Sequence, residues 1–233
     1  MTFNPSRVRA VCFDIDGTLA DTDDAMVLKF SRMLKPVSFL FRNRSTDRFS
    51  RWLTMAAESP ANLFYGTTDR LGLDELAAPV VDMVHSLLGE GKPKHFILIP
   101  GIMDMLNTLR DRYPLAVVTA RDQRGAECFL EQFNLGPYFK TVVTARTCRR
   151  SKPHPMPVLT AAEALGVPPE ACLMVGDTTV DVRSAKAAGA QAVGVLCGFG
   201  TRGELEARGA DLILQTTADL HKYLPAPEAP GEA

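Results

Sequence analysis

The stretch VCFDIDGTLADT, residues 11–22, ends an apolar run in two carboxylates, Asp14 and Asp16, and then turns at Gly17. A buried strand seldom terminates in paired acids unless a cation or a reacting group neutralises them. The run therefore reads as a strand that delivers two acids to a site. Runs of the same kind recur as LAVVTAR (115–121), TVVTAR (141–146), ACLMVGD (171–177), AQAVGVL (190–196) and ADLIL (210–214). Near-continuous apolar runs of this length fit strands buried on both faces, as in a parallel sheet. Between them lie helical spacings: Ile102, Met105, Leu106 and Leu109, then Ala126, Phe129, Leu130 and Phe133. Strand and helix alternate from about residue 98 to 214, so the expected class is α/β with a doubly wound parallel sheet, a Rossmann-like core.

Residues 20–95 break the alternation. Met26, Phe30, Met33, Leu34 and Val37 share one helical face, Trp52, Met55 and Ala56 suggest a second helix, and Val80, Val81, Val84, Leu87 and Leu88 a third. These spacings imply a helical insertion over 20–95, ending in LGEGKPKHF, whose glycines and proline suit a hinge. The expected division is a core of 1–19 and 96–224, the insertion 20–95, and a tail 225–233. That tail, rich in Pro, Ala and Glu, is expected to be disordered.

The chain has 233 residues, 46% of them hydrophobic, and a formal net charge of -1, which argues against a general polyanion-binding surface. Charge is concentrated locally: residues 29–51 carry seven basic side chains against the single acid Asp47. These read as a solvated helical face, or as arginines that close over an anionic substrate. Nucleic acid and membrane are not expected partners, since the aromatic residues in that stretch are needed for its own core. Cys12, Cys128, Cys148, Cys172 and Cys197 are widely spaced with no C-x-x-C pair, so reduced, mostly buried thiols are expected. With no signal-like leader and no apolar run of membrane-spanning length, the expected location is the cytoplasm.

In an open parallel sheet, ligands bind beyond the carboxyl ends of the strands. The residues flanking the strand ends then line the site: Asp14, Asp16, Gly17 and Thr18 after the first strand, Thr119, Ala120 and Arg121 after the second, Lys152 before the fourth, Gly176, Asp177 and Asp181 after it. Four carboxylates facing one another repel, so a hard divalent cation with oxygen ligands is implied, and Mg2+ suits an open site that also holds phosphate. A carboxylate such as Asp14 can attack phosphorus, while Lys152 and Thr119 offer charge and a donor to phosphoryl oxygens.

The set D-x-D-G-T, T after the second strand, K-P before the fourth and G-D-x-x-x-D resembles the four motifs of the haloacid dehalogenase superfamily of phosphatases. D-x-D-G-T alone arises by chance in a chain this long with a probability of about 10^-3; four motifs in order at strand ends are far more specific. The likeness covers residues 8 to about 214, and the insertion resembles that superfamily's helical cap. SKPHP with GDTTVD is most similar to the phosphoglycolate phosphatase-like branch. The resemblance implies Asp14 as nucleophile and Asp16 as acid/base. It further implies a Mg2+ shell of Asp14, the Asp16 carbonyl, Asp177 and Asp181, the last directly or through water, with Thr119 and Lys152 on the substrate phosphate. The expected substrate is a small phosphorylated metabolite, with phosphoglycolate leading. The rivals are a sugar-phosphate mutase or another member of the superfamily that is not a phosphatase, such as a dehalogenase, and a non-catalytic phosphate-binding descendant. Two departures stand out: Ala120 and Arg121 where the family commonly continues with Asn, and Met156 where an acid often follows K-P-H-P. His154, between two prolines, reads as a turn contact. Oligomeric state is not legible.

Overall fold

The computed structural model describes residues 3–21 and 96–225, which belong to one compact unit. The expected helical insertion, with its basic stretch, and the tail beyond Pro225 lie outside the described residues.

Six strands form one parallel sheet: β1 (Ala10–Phe13), β4 (Leu115–Val118), β5 (Thr141–Val143), β6 (Cys172–Gly176), β7 (Gln191–Val195) and β8 (Leu212–Leu214), in the spatial order β5-β4-β1-β6-β7-β8. Each run singled out in the sequence forms one of them. β1, β4, β6 and β7 are buried at every residue, which is why they read as continuous apolar runs and not as alternating ones. Helices α1 (Ile102–Arg110), α2 (Gln123–Gln132), α3 (Met156–Leu165), α4 (Thr179–Ala187) and α5 (Arg202–Ala207) fill the connections.

Period-two side-chain alternation splits the core into two layers. Val11, Phe13, Leu115, Val117, Leu173, Val175, Val193 and Val195 face Ile102, Met105, Leu106 and Leu109 of α1 and Ala126, Phe129 and Leu130 of α2. Ala10, Cys12, Ala116, Val118, Cys172, Met174 and Ala192 face Val158, Ala161 and Ala162 of α3, Val182 and Ala185 of α4, and Leu205 of α5. The second layer is built of smaller side chains, so α3 and α4 can pack close to the sheet. All five cysteines are free thiols; Cys12 and Cys172 are buried and the other three only half-buried.

Numbered along the chain, the strands of this sheet run 3-2-1-4-5-6, and the order reverses between β1 and β6. Beyond the carboxyl ends of that pair lies the crevice where doubly wound sheets bind ligands. The register sets Val11 beside Leu115 and Leu173 and Phe13 beside Val117 and Val175, so the residues after β1, β4 and β6 emerge at one level.

A second ribbon closes the stem of the insertion. β2 (Ala20–Asp21) pairs antiparallel with β3 (Ile97–Leu98), Ala20 opposite Leu98 and Asp21 opposite Ile97. Ala20 and Asp21, assigned to the helical insertion from sequence, are thus extended. The returning chain is clamped at Phe96: its N–H donates to Gln132 Oε1 at 3.0 Å and its carbonyl accepts from Gln132 Nε2 at 2.7 Å. The Phe96 ring packs edge-on against Phe129, centroids 5.5 Å apart. At the far end, the Tyr113 hydroxyl donates to the carbonyl of Pro225, the first residue of the expected tail.

Candidate active site

Asp14 follows β1 directly, and its backbone N–H still donates to Val175 O at 3.0 Å, so the strand pairing with β6 holds it in place. The chain then turns sharply. The N–H groups of Thr18, Leu19 and Ala20 all donate to Ile15 O, and the Gly17 N–H donates to Ala20 O at 2.9 Å. Gly17 has φ +67°, a conformation side chains disfavour, and a Cβ there would lie 2.3 Å from Asp177 Oδ2. Glycine is required at this point by both geometry and space.

Asp177 comes one residue after β6 and is fully buried; its Oδ2 accepts the Phe199 N–H at 2.7 Å. Gly198 stands against it so closely that a Cβ would fall 2.1 Å from Oδ2. Asp181 sits in the first turn of α4 and closes a capping box with Thr178: its Oδ2 accepts from Thr178 N at 3.0 Å and from Thr178 Oγ1 at 2.5 Å. A helix-capping role for Asp181 is therefore real, and its other oxygen serves the crevice.

That oxygen, Oδ1, lies 2.6 Å from Lys152 Nζ, which is also 2.9 Å from Asp14 Oδ1 and 3.0 Å from Val118 O. Lys152 is 3% exposed. Burial alone would push its ammonium pKa down, but Asp14 and Asp181 more than reverse this and hold it above the usual lysine range. Asp14 is raised too, well above an ordinary carboxylate. Burial, with Asp181 and Asp16 nearby, raises it to about 7 against the pull of Lys152. Of the coupled pair, the protonated lysine is the firmer member, since two carboxylates support it.

Asp14, Asp177 and Asp181 offer carboxylate oxygens within 4.8 Å of one another, all three residues buried. Lys152 balances one of these three charges, so the donor set carries an excess that suits a divalent cation with oxygen ligands. The buried Thr18 Oγ1, which has no hydrogen-bond partner, adds a polar atom to the same turn. The residues present thus fit Mg2+.

Thr119, at the end of β4, is buried, and its Oγ1 accepts the Arg121 N–H at 3.1 Å, so its own O–H remains to be donated. The Lys152–Pro153 peptide is cis, and His154 is occupied structurally: its Nδ1 accepts the Met156 N–H and its carbonyl the Ser184 hydroxyl. Asp16 is the one acid of the four outside the buried cluster. Both of its oxygens accept from Arg121, Oδ2 from Nε at 2.6 Å and Oδ1 from Nη2 at 2.5 Å. The Arg121 guanidinium in turn lies over the Phe96 ring, 4.8 Å from its centroid. Sequence reading singled out Arg121 as a departure without finding its partner. A fork-shaped donor two residues beyond Thr119, just past the end of β4 and so near the D-x-D turn, was the available signal. Gly198 and Phe199 were missed outright, because they act through backbone from a loop with no polar signature.

Fold and site together define a doubly wound α/β protein with an acidic, cation-accepting crevice at its topological switch point. The family model described as "Haloacid dehalogenase-like hydrolase" matches residues 11–195, and the chain belongs to that family, as an enzyme of the hydrolase class. It is 28% identical to the phosphoglycolate phosphatase of Escherichia coli O157:H7, over 97% of this chain and 96% of that one. It is 32% identical to a protein of Dickeya dadantii (strain 3937) named "Probable phosphatase IndB", covering 90% of each. Among solved structures, a hydrolase from Pseudomonas syringae superposes with a TM-score of 0.68 at 25% identity, covering 92% of this chain and 97% of that one. A subfamily IA hydrolase from Geobacter sulfurreducens PCA does so with a TM-score of 0.60, also at 25% identity, over 97% and 100%. No helix among the described residues is long and apolar enough to cross a membrane.

Proposed function

We propose that this phosphoric monoester hydrolase acts on a small phosphorylated metabolite, phosphoglycolate first among the candidates, through an aspartyl phosphate on Asp14. One observation carries the reading: Asp14 is a buried carboxylate at the switch point of the sheet, fixed by β6 behind it and by Lys152 at 2.9 Å. A nucleophile held this way has its attack direction set before substrate arrives. The relatives named as phosphoglycolate phosphatases support the choice of ester.

Asp14 Oδ attacks phosphorus, the bond from phosphorus to the leaving oxygen breaks, and Asp16 gives that oxygen its proton. Water then attacks the same phosphorus and gives a proton to Asp16. The bond from phosphorus to Asp14 breaks, and Asp14 regains its electron pair. Lys152 keeps Asp14 oriented and sets its positive charge beside the phosphoryl oxygens, and Thr119 donates its hydroxyl to them. Asp14, Asp177 and the Asp16 carbonyl would hold Mg2+, with Asp181 completing the shell directly or through water while it orients Lys152. The ion supplies charge neutralisation for the phosphoryl group. The insertion 20–95 acts as a cap that excludes bulk water and selects the leaving group, and the enzyme works in the cytoplasm.

The test is phosphate release from a panel of small esters, phosphoglycolate included, with Mg2+ or with EDTA, by the native protein and by Asp14→Asn. Metal-dependent release that disappears in the variant is the expected result. Undiminished release from Asp14→Asn would overturn the nucleophile assignment.

A further inference from the structure

We infer that the loop after β7, residues 197–200, is a positioning element for the cation site: it ties the Asp177 carboxylate to the D-x-D-G-T turn and so holds two acid-bearing loops together where a divalent cation would bind. The inference rests on the reading of Asp177 as a cation ligand.

β6 and β7 pair as far as Gly176 opposite Gly194, so the chain leaving β7 starts level with Asp177. Both flanks of the loop are fixed. The Leu196 N–H donates to Leu214 O at 3.0 Å, and Thr201 opens α5 in a capping box with Glu204. Held in this way, the loop presents backbone to Asp177. The Phe199 N–H donates to Asp177 Oδ2 at 2.7 Å, a backbone donor on a fully buried carboxylate. Gly198 and Gly200 stand on either side of that donor. A Cβ at Gly198 would lie 2.1 Å from Asp177 Oδ2 and 2.6 Å from the Asp177 Cβ, and one at Gly200 would lie 2.0 Å from the Asp177 carbonyl oxygen. Neither glycine has a positive φ, so both positions require glycine for space and not for conformation. Turning the carboxylate aside would not make room for alanine at 198, because the Asp177 Cβ also obstructs it. Asp177 or the loop must then shift. The loop also reaches the turn after β1: the Cys197 thiol donates to Gly17 O at 3.4 Å, and Gly17 itself crowds the same Asp177 oxygen. Loops from the ends of β1, β6 and β7 thus meet at one carboxylate. Groups that orient a metal ligand without touching the ion commonly change metal affinity by about 10–100-fold.

The experiment is calorimetric titration of the full chain, freed of metal with EDTA and dialysed, with Mg2+; it needs no turnover. Gly198→Ala should bind Mg2+ at least tenfold more weakly than the native protein, with a melting temperature in EDTA lowered by a few degrees. A role in folding alone would lower that temperature and leave the Kd as it is. Cys197→Ala introduces no clash and removes only the tie to Gly17. Its Kd should rise by about threefold, less than for Gly198→Ala because a thiol is a weak donor, and Cys197→Ser, which keeps a donor, should recover most of the loss. This pair decides the matter if Gly198→Ala does not fold. Native affinity in a folded Gly198→Ala, or in Cys197→Ala, would overturn the inference. Absence of Mg2+ binding by the native protein, or binding that survives in Asp177→Asn, would sink the cation reading itself. Binding that is lost in Asp177→Asn but intact in the loop variants would sink the inference alone.

Discussion

Burial pushes both Asp14 and Lys152 toward their neutral forms, and only the lysine's neighbours reverse it: the lysine faces two carboxylates, whereas the carboxylate faces a lysine and two further acids. The consequence for stability can be worked through with its sign. In the metal-free protein the Asp14 carboxyl stays protonated up to about pH 7, while in the unfolded chain it ionises near 3.8. Between those values the folded state binds more protons, so this group's contribution to stability falls as pH rises and levels off above about 7. Asp14→Asn does not titrate. In EDTA, the melting temperature of Asp14→Asn should therefore gain on that of the native protein between pH 5 and pH 7.5 by several degrees, and the gap should then stay constant. A gap independent of pH would mean that Lys152 holds Asp14 at an ordinary carboxylate value. This residue-level tension also accounts for the shape of the site, since a divalent cation would relieve a repulsion that the lysine relieves only in part.

At the scale of elements, helix α4 does two jobs with one side chain. Asp181 closes the capping box with Thr178 through Oδ2 and holds Lys152 through Oδ1, so the start of the helix and the charge balance of the crevice are one structure. Gly176 allows this closeness, since a Cβ there would fall 2.3 Å from Asp181 Cγ. Thr178→Ala removes the cap hydroxyl and should cost about 1 kcal/mol of stability, the usual value for an N-cap. It also frees Asp181 to turn, so phosphatase activity should fall by more than the stability loss explains at a temperature where the variant is fully folded. Chemical denaturation and turnover measured on the same preparation separate the two effects. In helix α5, Thr201 and Glu204 make the same box without a buried lysine attached, at an exposed helix start. Thr201→Ala is thus the internal control: a similar stability cost with turnover unchanged.

For the molecule as a whole, legibility in the sequence followed burial. β1, β4, β6 and β7 were readable because full burial on both faces makes them uninterrupted apolar runs, the shorter and partly buried β5 and β8 because they are apolar all the same, and α1 and α2 because their inner faces repeat at helical spacing. The carboxylates and Lys152 were readable from the strand-end rule, and the sheet order brings the loops after β1, β4 and β6 into one crevice. What stayed hidden depends on long-range approach: the Arg121 fork, the Phe96 clamp, and the backbone of Gly198 and Phe199 against Asp177. None of these leaves a periodic trace, since each joins residues distant along the chain. The short ribbon of β2 and β3 is of the same kind, two residues on each side of a long insertion. A sheet unit that converges three buried carboxylates on one point can hold a cation, and that has a consequence for the entire fold. Ligand binding to the native state alone stabilises by RT ln(1 + [L]/Kd), about 2.7 kcal/mol when the ligand is at a hundred times its Kd. For a chain of this length that amounts to roughly 5–10 °C. Addition of saturating Mg2+ to EDTA-treated protein should raise the melting temperature by that order, with Ca2+ a useful comparison because it tolerates looser oxygen shells. Asp177→Asn, which keeps the acceptor for the Phe199 N–H but removes a charge, should lose most of the shift while folding normally in EDTA. A shift that survives intact in Asp177→Asn would move the cation away from this cluster.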